Sequence, residues 1–157
     1  MSPTDIPRID WDGARISPER WGRDHWQVFT YLGHCFHKSD GVPDRDKMRC
    51  KPGNPLIGFR VVRIQGDREY PTKLVDGGFL WGHDDYDCAD DLIAAGLMTS
   101  LGTGANPRYG LTPVGVLAWS YCCDRYRSLG GLTWEKVLAA VRGGRREIQA
   151  FLQEGES

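Results

Sequence analysis

Apolar side chains recur at helical spacing in the first third of the chain. The residues of this stripe are Trp21, His25, Val28, Phe29, Leu32, Cys35 and Phe36. Steps of three and four residues place side chains on one face of an α-helix. Ser17-Pro18 is typical of an N-cap and first helical position, and Asp24-x-x-Gln27 of a capping box. The pattern predicts a core-facing helix that ends near Lys38.

A second helix is predicted after residue 83. Asp84 or Asp85 is placed to cap it, and Gly96 stands where a left-handed C-cap residue is wanted. The residues expected on its inward face are Tyr86, Ala89, Leu92, Ile93 and Leu97.

A β-hairpin and another helix follow. Two short extended stretches, about Leu97 to Leu101 and Arg108 to Leu111, flank the turn-forming run Gly102 to Pro107. Thr112-Pro113 then predicts an N-cap and first helical residue. The segment from Val114 to Tyr126 is apolar nearly all round, which predicts a buried helix.

The remaining segments have weaker patterns. Residues 1–17 predict an extended arm held by Ile9 and Trp11, and Leu56 to Ile64 predicts a strand within an insertion over residues 44–68. Pro71 to Val75 is compatible with one or two helical turns. Thr133 is placed to cap a final amphipathic helix that Gly143-Gly144 interrupts.

The order of these elements resembles the winged-helix proteins of the MarR and PadR type. The matching residues are Leu92 to Met98, the wing tip Gly102 to Pro107, and the helix start Leu111-Thr112-Pro113-Val114-Gly115. The resemblance implies that Trp26 to Phe36 is the first helix of the motif and Pro71 to Val75 the second.

The expected fold is therefore α+β and mainly helical, with a winged helix-turn-helix. We expect an extended arm at 1–17, a winged-helix-like domain at 18–128 with a strand-containing insertion at 44–68, and a C-terminal amphipathic helix at 129–157. Asp24-His25-Trp26 and the segment His83 to Leu97 also resemble a group of proteins from phages and bacterial mobile elements. That resemblance implies a phage or mobile-element setting and no particular activity.

Composition narrows the function classes. The chain has 157 residues, a net charge of -1 and five cysteines that form no C-x-x-C pair. This balance gives no global attraction to nucleic acid, and the odd cysteine count does not fit a disulfide framework. No apolar run approaches the length of a membrane span. We expect a cytoplasmic protein with no membrane partner.

The helix after residue 83 carries an acidic cluster, which we expect to face solvent. Its members are Asp84, Asp85, Asp87, Asp90 and Asp91. Carboxylates repel phosphates, so this helix is not expected to enter a DNA groove. One interpretation is that the acids only favour the helix N-terminus and are otherwise solvated. The preferred interpretation is a non-enzymatic accessory protein that binds and modulates a protein partner, such as a nucleic-acid-handling complex, through this acidic face.

The alternative function is a DNA-binding transcriptional regulator. It would use cations of the wing and the C-terminal region, with a homodimer through the C-terminal helix as a further option. The residues that would contact DNA are Arg60, Arg63, Lys73, Arg108, Arg142, Arg145 and Arg146.

A metal-binding protein or enzyme is the third reading. The donors considered are His34, His37, Cys35 and Cys50, with His83, Asp87 and Cys88 as a second half. They lack the spacing of a zinc finger or ribbon, so no metal, cofactor or catalytic residue is expected, with core cysteines and surface histidines instead. His83 and Cys88, five residues apart, are expected to be poorly placed for a catalytic pair, and nearby aspartates to raise the thiol pKa.

Overall fold

The computed structural model describes residues 9–39, 41–42, 55–56, 59–60, 72–102 and 107–144. Within these ranges the chain forms an α+β fold with four α-helices and three small sheets. The helices are α1 (Arg23–Ser39), α2 (Asp85–Ala94), α3 (Pro113–Asp124) and α4 (residues 134–144). Short 3-10 turns span Pro18–Arg20 and Tyr126–Gly131.

The strands are short. Strands β1 (Ile9–Asp10), β4 (Thr72–Lys73) and β5 (Phe79–Trp81) form one sheet in the order β1-β5-β4. Strand β1 runs parallel to β5, and β4 runs antiparallel to it. Strands β2 (Pro55–Leu56) and β3 (Phe59–Arg60) form an antiparallel pair. Strands β6 (Met98–Gly102) and β7 (Arg108–Leu111) form another, with a register shift between Ser100 and Gly102.

Helix α1 lies at the centre of the core and contacts α2, α3 and β7. The predicted stripe is buried except for the half-buried Phe36, and it is joined by Trp26, Thr30 and Tyr31 from the other sides of the helix. The predicted capping box at Asp24 and Gln27 is wrong. The helix begins at Arg23, and the Asp24 carboxylate accepts a hydrogen bond from the backbone N–H of Lys73 at 2.9 Å.

The local signals of the second half are confirmed. Asp84 and Asp87 form a reciprocal capping box at the start of α2, with hydrogen bonds of 2.9 and 3.0 Å. Gly96 ends that helix in the left-handed region at a φ of 83°. Strands β6 and β7 form the predicted hairpin. The Thr112 hydroxyl accepts the N–H of Gly115 at 2.9 Å, which caps α3 as predicted.

The short helix predicted from Pro71 to Val75 is wrong. Thr72–Lys73 is a strand, and Leu74 bridges to Trp21. The reason is the following turn, in which the N–H of Leu74 donates to the carbonyl of Gly78 at 2.8 Å and folds the segment back along β5. The second helix that a winged helix-turn-helix would need is therefore absent from residues 72–75.

Two other predictions need adjustment. Helix α3 is buried on one face only, through Gly115, Ala118 and Cys122, whereas Val116 is exposed. The prediction that this helix is buried on all sides is therefore wrong. Among the described elements, none covers its outer side. Of the segment Leu56 to Ile64, only residues 56, 59 and 60 are described, and they lie in strands.

The final helix, α4, forms with an inward face of Val137 and Val141. The Thr133 hydroxyl accepts the N–H of Lys136 at 3.4 Å. Gly143 and Gly144 continue the helix, so the predicted interruption is wrong there, and residues 145–157 lie outside the described ranges. No helix in the described part of the chain has both the length and the apolar character needed to cross a bilayer.

Candidate metal centre

A buried carboxylate joins two histidines at the centre of the molecule. His25 donates from Nε2 to Asp91 Oδ2 at 2.8 Å, and His83 donates from Nε2 to the same oxygen at 2.7 Å. All three side chains are 0% exposed. The other oxygen, Asp91 Oδ1, accepts the backbone N–H of Ile16 at 3.0 Å. Each carboxylate oxygen is thus satisfied by donors from elements far apart in the chain.

The second nitrogen of each imidazole has a different environment. His83 Nδ1 lies 3.0 Å from the Thr72 hydroxyl and 3.7 Å from Cys88 Sγ. The Thr72 hydroxyl also donates to the His83 backbone carbonyl at 2.7 Å. His25 Nδ1 is buried and has no hydrogen-bond partner among the described residues. A buried nitrogen without a partner is costly, so this atom calls for an explanation.

Different elements bring these groups together. His25 lies in the first turns of α1, where its ring stacks on Trp21 at 5.3 Å between centroids. His83 follows β5 directly before the Asp84 cap, and Cys88 and Asp91 lie on α2. One donor atom from each of His25, His83 and Cys88 lies within 4.8 Å of the other two.

Burial and hydrogen bonding shift the pKa values in this cluster. Burial would raise the pKa of Asp91, but the hydrogen bonds from His25, His83 and the Ile16 N–H outweigh it and lower the pKa to about 2. Burial lowers the pKa of His25, against the opposing effect of Asp91. Asp91 is therefore an anion at neutral pH, and His25 is favoured in its neutral form.

The thiol of Cys88 is protonated in this environment. Burial, followed by the carboxylates of Asp85 and Asp24, raises its pKa well above the ordinary value. The predicted direction of this shift is confirmed. The predicted separation of His83 from Cys88 is wrong, because His83 precedes α2 and turns back over its first turn. The pair still lacks a nucleophilic thiolate.

The five aspartates of the acidic cluster differ in their exposure to solvent. Asp85 is 0% exposed and Asp91 is 1% exposed, so the prediction that they face solvent is wrong. The physical reason is that α2 is covered on two sides, by α1 and by the N-terminal segment. Asp84 and Asp87 are half-buried in the capping box, and Asp90 is exposed. The five carboxylates do not form one surface.

The predicted DNA-contacting cations are only partly described. Lys73, Arg108 and Arg142 are exposed. The backbone of Arg60 lies in β3, but its side chain is not described. Arg63, Arg145 and Arg146 lie outside the described residues. The structure therefore describes three of the seven side chains, and each of these three is exposed.

The sequence-predicted metal donors are also rearranged. His34 and Cys35 are buried in α1 and His37 is exposed, whereas Cys50 lies outside the described residues. The expectation of surface histidines is wrong for His34 and His83, which are buried, whereas His25 is buried on the predicted core-facing stripe. His25 was the donor that sequence reasoning missed, although its place on the apolar stripe signalled a buried imidazole in need of a polar partner.

Comparison of the chain with protein-family models, curated proteins and solved structures finds no match.

Proposed function

We propose that this protein is a metal-binding domain in which His25, His83 and Cys88 hold one transition-metal ion, with Zn²⁺ as the preferred ion. The observation that carries the proposal is that one donor atom of each residue lies within 4.8 Å of the others, in a site closed to solvent. Imidazole and thiolate are the ligands that zinc favours in proteins.

Asp91 supports the proposal as the group that orients both imidazoles. Histidines that bind metals usually donate their second ring N–H to a carboxylate or carbonyl, which fixes the tautomer and the ring orientation. Here both Nε2 atoms donate to Asp91 Oδ2, at 2.8 and 2.7 Å. The partnerless Nδ1 of His25 is then left with a free lone pair, as a metal ligand requires. His83 Nδ1 would have to give up its 3.0 Å contact with the Thr72 hydroxyl, which already donates to the His83 carbonyl, before it could bind the ion.

The local charge also favours a cation. The carboxylates of Asp85, Asp24 and Asp91 lie close enough to Cys88 to raise the pKa of its thiol. Anionic groups out of contact with water are stable only when they are paired or when they coordinate a metal. A divalent ion at Cys88 would sit in their combined field, and it would convert the thiol to a bound thiolate.

The fit requires a small contraction. Zinc bond lengths to nitrogen and sulfur imply ligand separations of about 3.5 Å at tetrahedral angles, against the 4.8 Å limit that encloses the three donors. Movements of about 1 Å would close the difference, and rotations of side chains supply displacements of that size. Three protein ligands leave one position of a tetrahedral ion for a water or a further side chain.

A structural role fits this site better than a catalytic one. The ligands are fully buried, and they come from α1, from the turn after β5 and from α2. An ion held there would crosslink three elements that meet only through tertiary packing, and its binding free energy would add to the free energy of unfolding.

The test is metal analysis of purified protein and of matched variants. Equilibrium dialysis against Zn²⁺ should give one ion per chain, and Co²⁺ substitution should give a thiolate-to-metal charge-transfer band. Cys88→Ser and His83→Gln should abolish stoichiometric binding. Cys123→Ser and His37→Gln alter a half-buried thiol and an exposed imidazole, and they should leave it unchanged.

The outcome that would reject the proposal is equally specific. Binding that survives Cys88→Ser, or the absence of stoichiometric binding of Zn²⁺ and Co²⁺ by folded wild-type protein, would rule out this centre. Copper belongs in the same dialysis series, because two histidines and a cysteine are also the donor set of mononuclear copper sites.

We propose in addition that α2, the β6–β7 hairpin and α3 form the wing half of a winged helix. Their order and the Thr112 cap support this relationship. The strand at Thr72–Lys73 argues against a complete helix-turn-helix and so against groove reading. Binding of a protein partner through Asp84, Asp87 and Asp90 remains a weaker proposal, because Arg15 already pairs with Asp90 at 3.6 Å.

A further inference from the structure

We infer that residues 9–17, here called the strap, form a removable cover that controls exchange of the metal at the His25, His83 and Cys88 site. This inference rests on the proposed metal-binding function and concerns the regulation of that site. The strap includes β1 and the turn that leads to the 3-10 turn at Pro18–Arg20.

The strap contacts the groups that orient the ligands. The backbone N–H of Ile16 donates to Asp91 Oδ1 at 3.0 Å. The Trp11 ring meets the His83 ring edge-on, with 5.0 Å between their centroids. Ile16 therefore contacts the Asp91 carboxylate, and Trp11 contacts the His83 imidazole. Together they place the strap over that side of the site.

Arg15 fastens the strap to α2. Its guanidinium lies 3.5 Å from Asp91 Oδ1 and 3.6 Å from Asp90 Oδ2, and it donates to the Asp87 carbonyl at 3.3 Å. It also lies 4.9 Å from the centre of the Trp11 ring. One exposed side chain therefore connects the strap to polar groups of Asp87, Asp90 and Asp91, which lie within about one turn of α2, and to the ring that covers His83.

The rest of the strap is attached mainly through its backbone: β1 pairs with β5, the N–H of Trp11 donates to the Trp81 carbonyl at 2.8 Å, and the Ile16 carbonyl accepts from Trp21 Nε1 at 3.0 Å. Ile16 is its one buried residue, Trp11 is half-buried, and Ile9 is 50% exposed. Gly13 has a φ of 90°, and no atom lies within 4 Å of a Cβ built there. Segments with little buried apolar surface and exposed hydrogen bonds open at low free-energy cost relative to global unfolding.

The burial of the ligands makes such opening necessary. His25, His83 and Cys88 are each 0% exposed, so an ion can enter or leave only when a covering segment moves. Helices α1 and α2 cover the site with the main core, whereas the strap covers it with two apolar side chains. Of these described segments, the strap is therefore the one whose local release costs least.

Thiol labelling tests the cover without requiring a metal. Metal-free protein is treated with N-ethylmaleimide, and labelling of each cysteine is followed by peptide mass spectrometry. Arg15→Ala and Trp11→Ala should speed Cys88 labelling at least tenfold. Cys122, which is also 0% exposed but lies in α3, reports global unfolding and should keep its rate. Equal acceleration at both cysteines, or no acceleration at Cys88, would overturn the inference.

A matched arginine provides the control. Arg125 also stacks on an aromatic ring, at 3.8 Å from the centre of Tyr121, and donates to a backbone carbonyl, but it lies at the end of α3. Arg125→Ala should leave the Cys88 rate unchanged. An Arg125→Ala protein that labels as fast as Arg15→Ala would show that the effect is not local to the strap.

The rate of zinc loss to a chelator tests whether the strap controls metal exchange. Protein loaded with Zn²⁺ is mixed with excess EDTA, and the rate of metal loss is measured. Arg15→Ala should accelerate loss by about tenfold while retaining one zinc per chain. If Arg15→Ala binds one zinc per chain and loses it at the wild-type rate, the strap inference is wrong and the proposed metal site stands. If the protein does not bind zinc, the proposed function is wrong, and the Cys88 labelling rates alone test the strap.

Discussion

His25 Nε2 and Asp91 Oδ2 lie 2.8 Å apart in the interior, although 66 residues separate them in the chain. The contact joins the start of α1 to the end of α2, and His83 binds the same oxygen. A single carboxylate oxygen therefore fixes two imidazoles. The proposed metal centre depends on this arrangement, because it determines which ring nitrogens remain available as ligands.

Removing the charge of Asp91 should destabilise the protein even without metal. In Asp91→Asn the two histidines lose their shared anionic acceptor, and breaking a buried ionic network of this kind costs about 3 kcal/mol. Urea unfolding followed by circular dichroism in the presence of EDTA measures the loss. Asp90→Asn, whose side chain is 55% exposed, should change the unfolding free energy by less than about 0.5 kcal/mol. Similar losses in the two variants would contradict the central role of Asp91.

Zinc binding should release protons and weaken as the pH falls. Burial keeps the pKa of the Cys88 thiol well above its ordinary value, so the free protein carries the thiol proton at neutral pH. Coordination requires the thiolate, and the proton must leave when the metal binds. Lower pH therefore opposes binding, and each pH unit should reduce the affinity by about tenfold per proton released. Calorimetry in buffers of different ionisation enthalpy counts the protons, and zero release would contradict thiolate ligation.

Gly33 should not tolerate a side chain. A Cβ at this position would overlap the ring of Trp119, and that ring is held by its Nε1 hydrogen bond to the Thr30 carbonyl at 2.9 Å. Gly33→Ala should cost about 2 kcal/mol by overpacking the contact between α1 and α3. Gly143→Ala is the matched change in α4, where no atom lies within 4 Å, and it should stabilise by about 0.5 to 1 kcal/mol. Denaturant midpoints compare them, and a neutral Gly33→Ala would show that the helices are less tightly packed.

The Thr112 hydroxyl should contribute measurably to stability. It accepts the N–H of Gly115 at 2.9 Å and donates to the Gly96 carbonyl at 2.7 Å, which ties the start of α3 to the end of α2. Thr112→Ala should cost about 1 to 2 kcal/mol through loss of the cap. Ser100→Ala removes a hydroxyl with a 3.4 Å exposed contact and should cost less than about 0.5 kcal/mol. Thermal unfolding of the two variants checks the difference.

Signals carried by near neighbours in the chain predicted much of the second half of the fold. The Asp84 cap, the left-handed Gly96 and the Thr112-Pro113 helix start each act within a few residues. The hairpin is similarly local, because its turn lies between the two strands it joins. These elements form as predicted, since the interactions that specify them are complete within the segment.

The short segment at residues 72–75 shows where local signals fail. These residues are too few to form a helix by themselves. Forming the first helical turn is unfavourable, and only the hydrogen bonds of a longer helix offset that cost. Pairing with β5 and the bridge from Leu74 to Trp21 decide its conformation. Both partners lie outside the segment, and one precedes it by about fifty residues.

The sequence by itself determined the helix boundaries marked by Asp84, Gly96 and Thr112, the hairpin and the apolar stripe of α1, because each is encoded by residues a few positions apart. Only the tertiary structure decided that Asp91 and Asp85 are buried, and that His25, His83 and Cys88 meet. Helical periodicity assigns polar residues to the side away from the apolar ones, but it does not show whether another element covers that side. Here the strap and α1 cover it, and a carboxylate expected at the surface becomes the acceptor for two buried histidines.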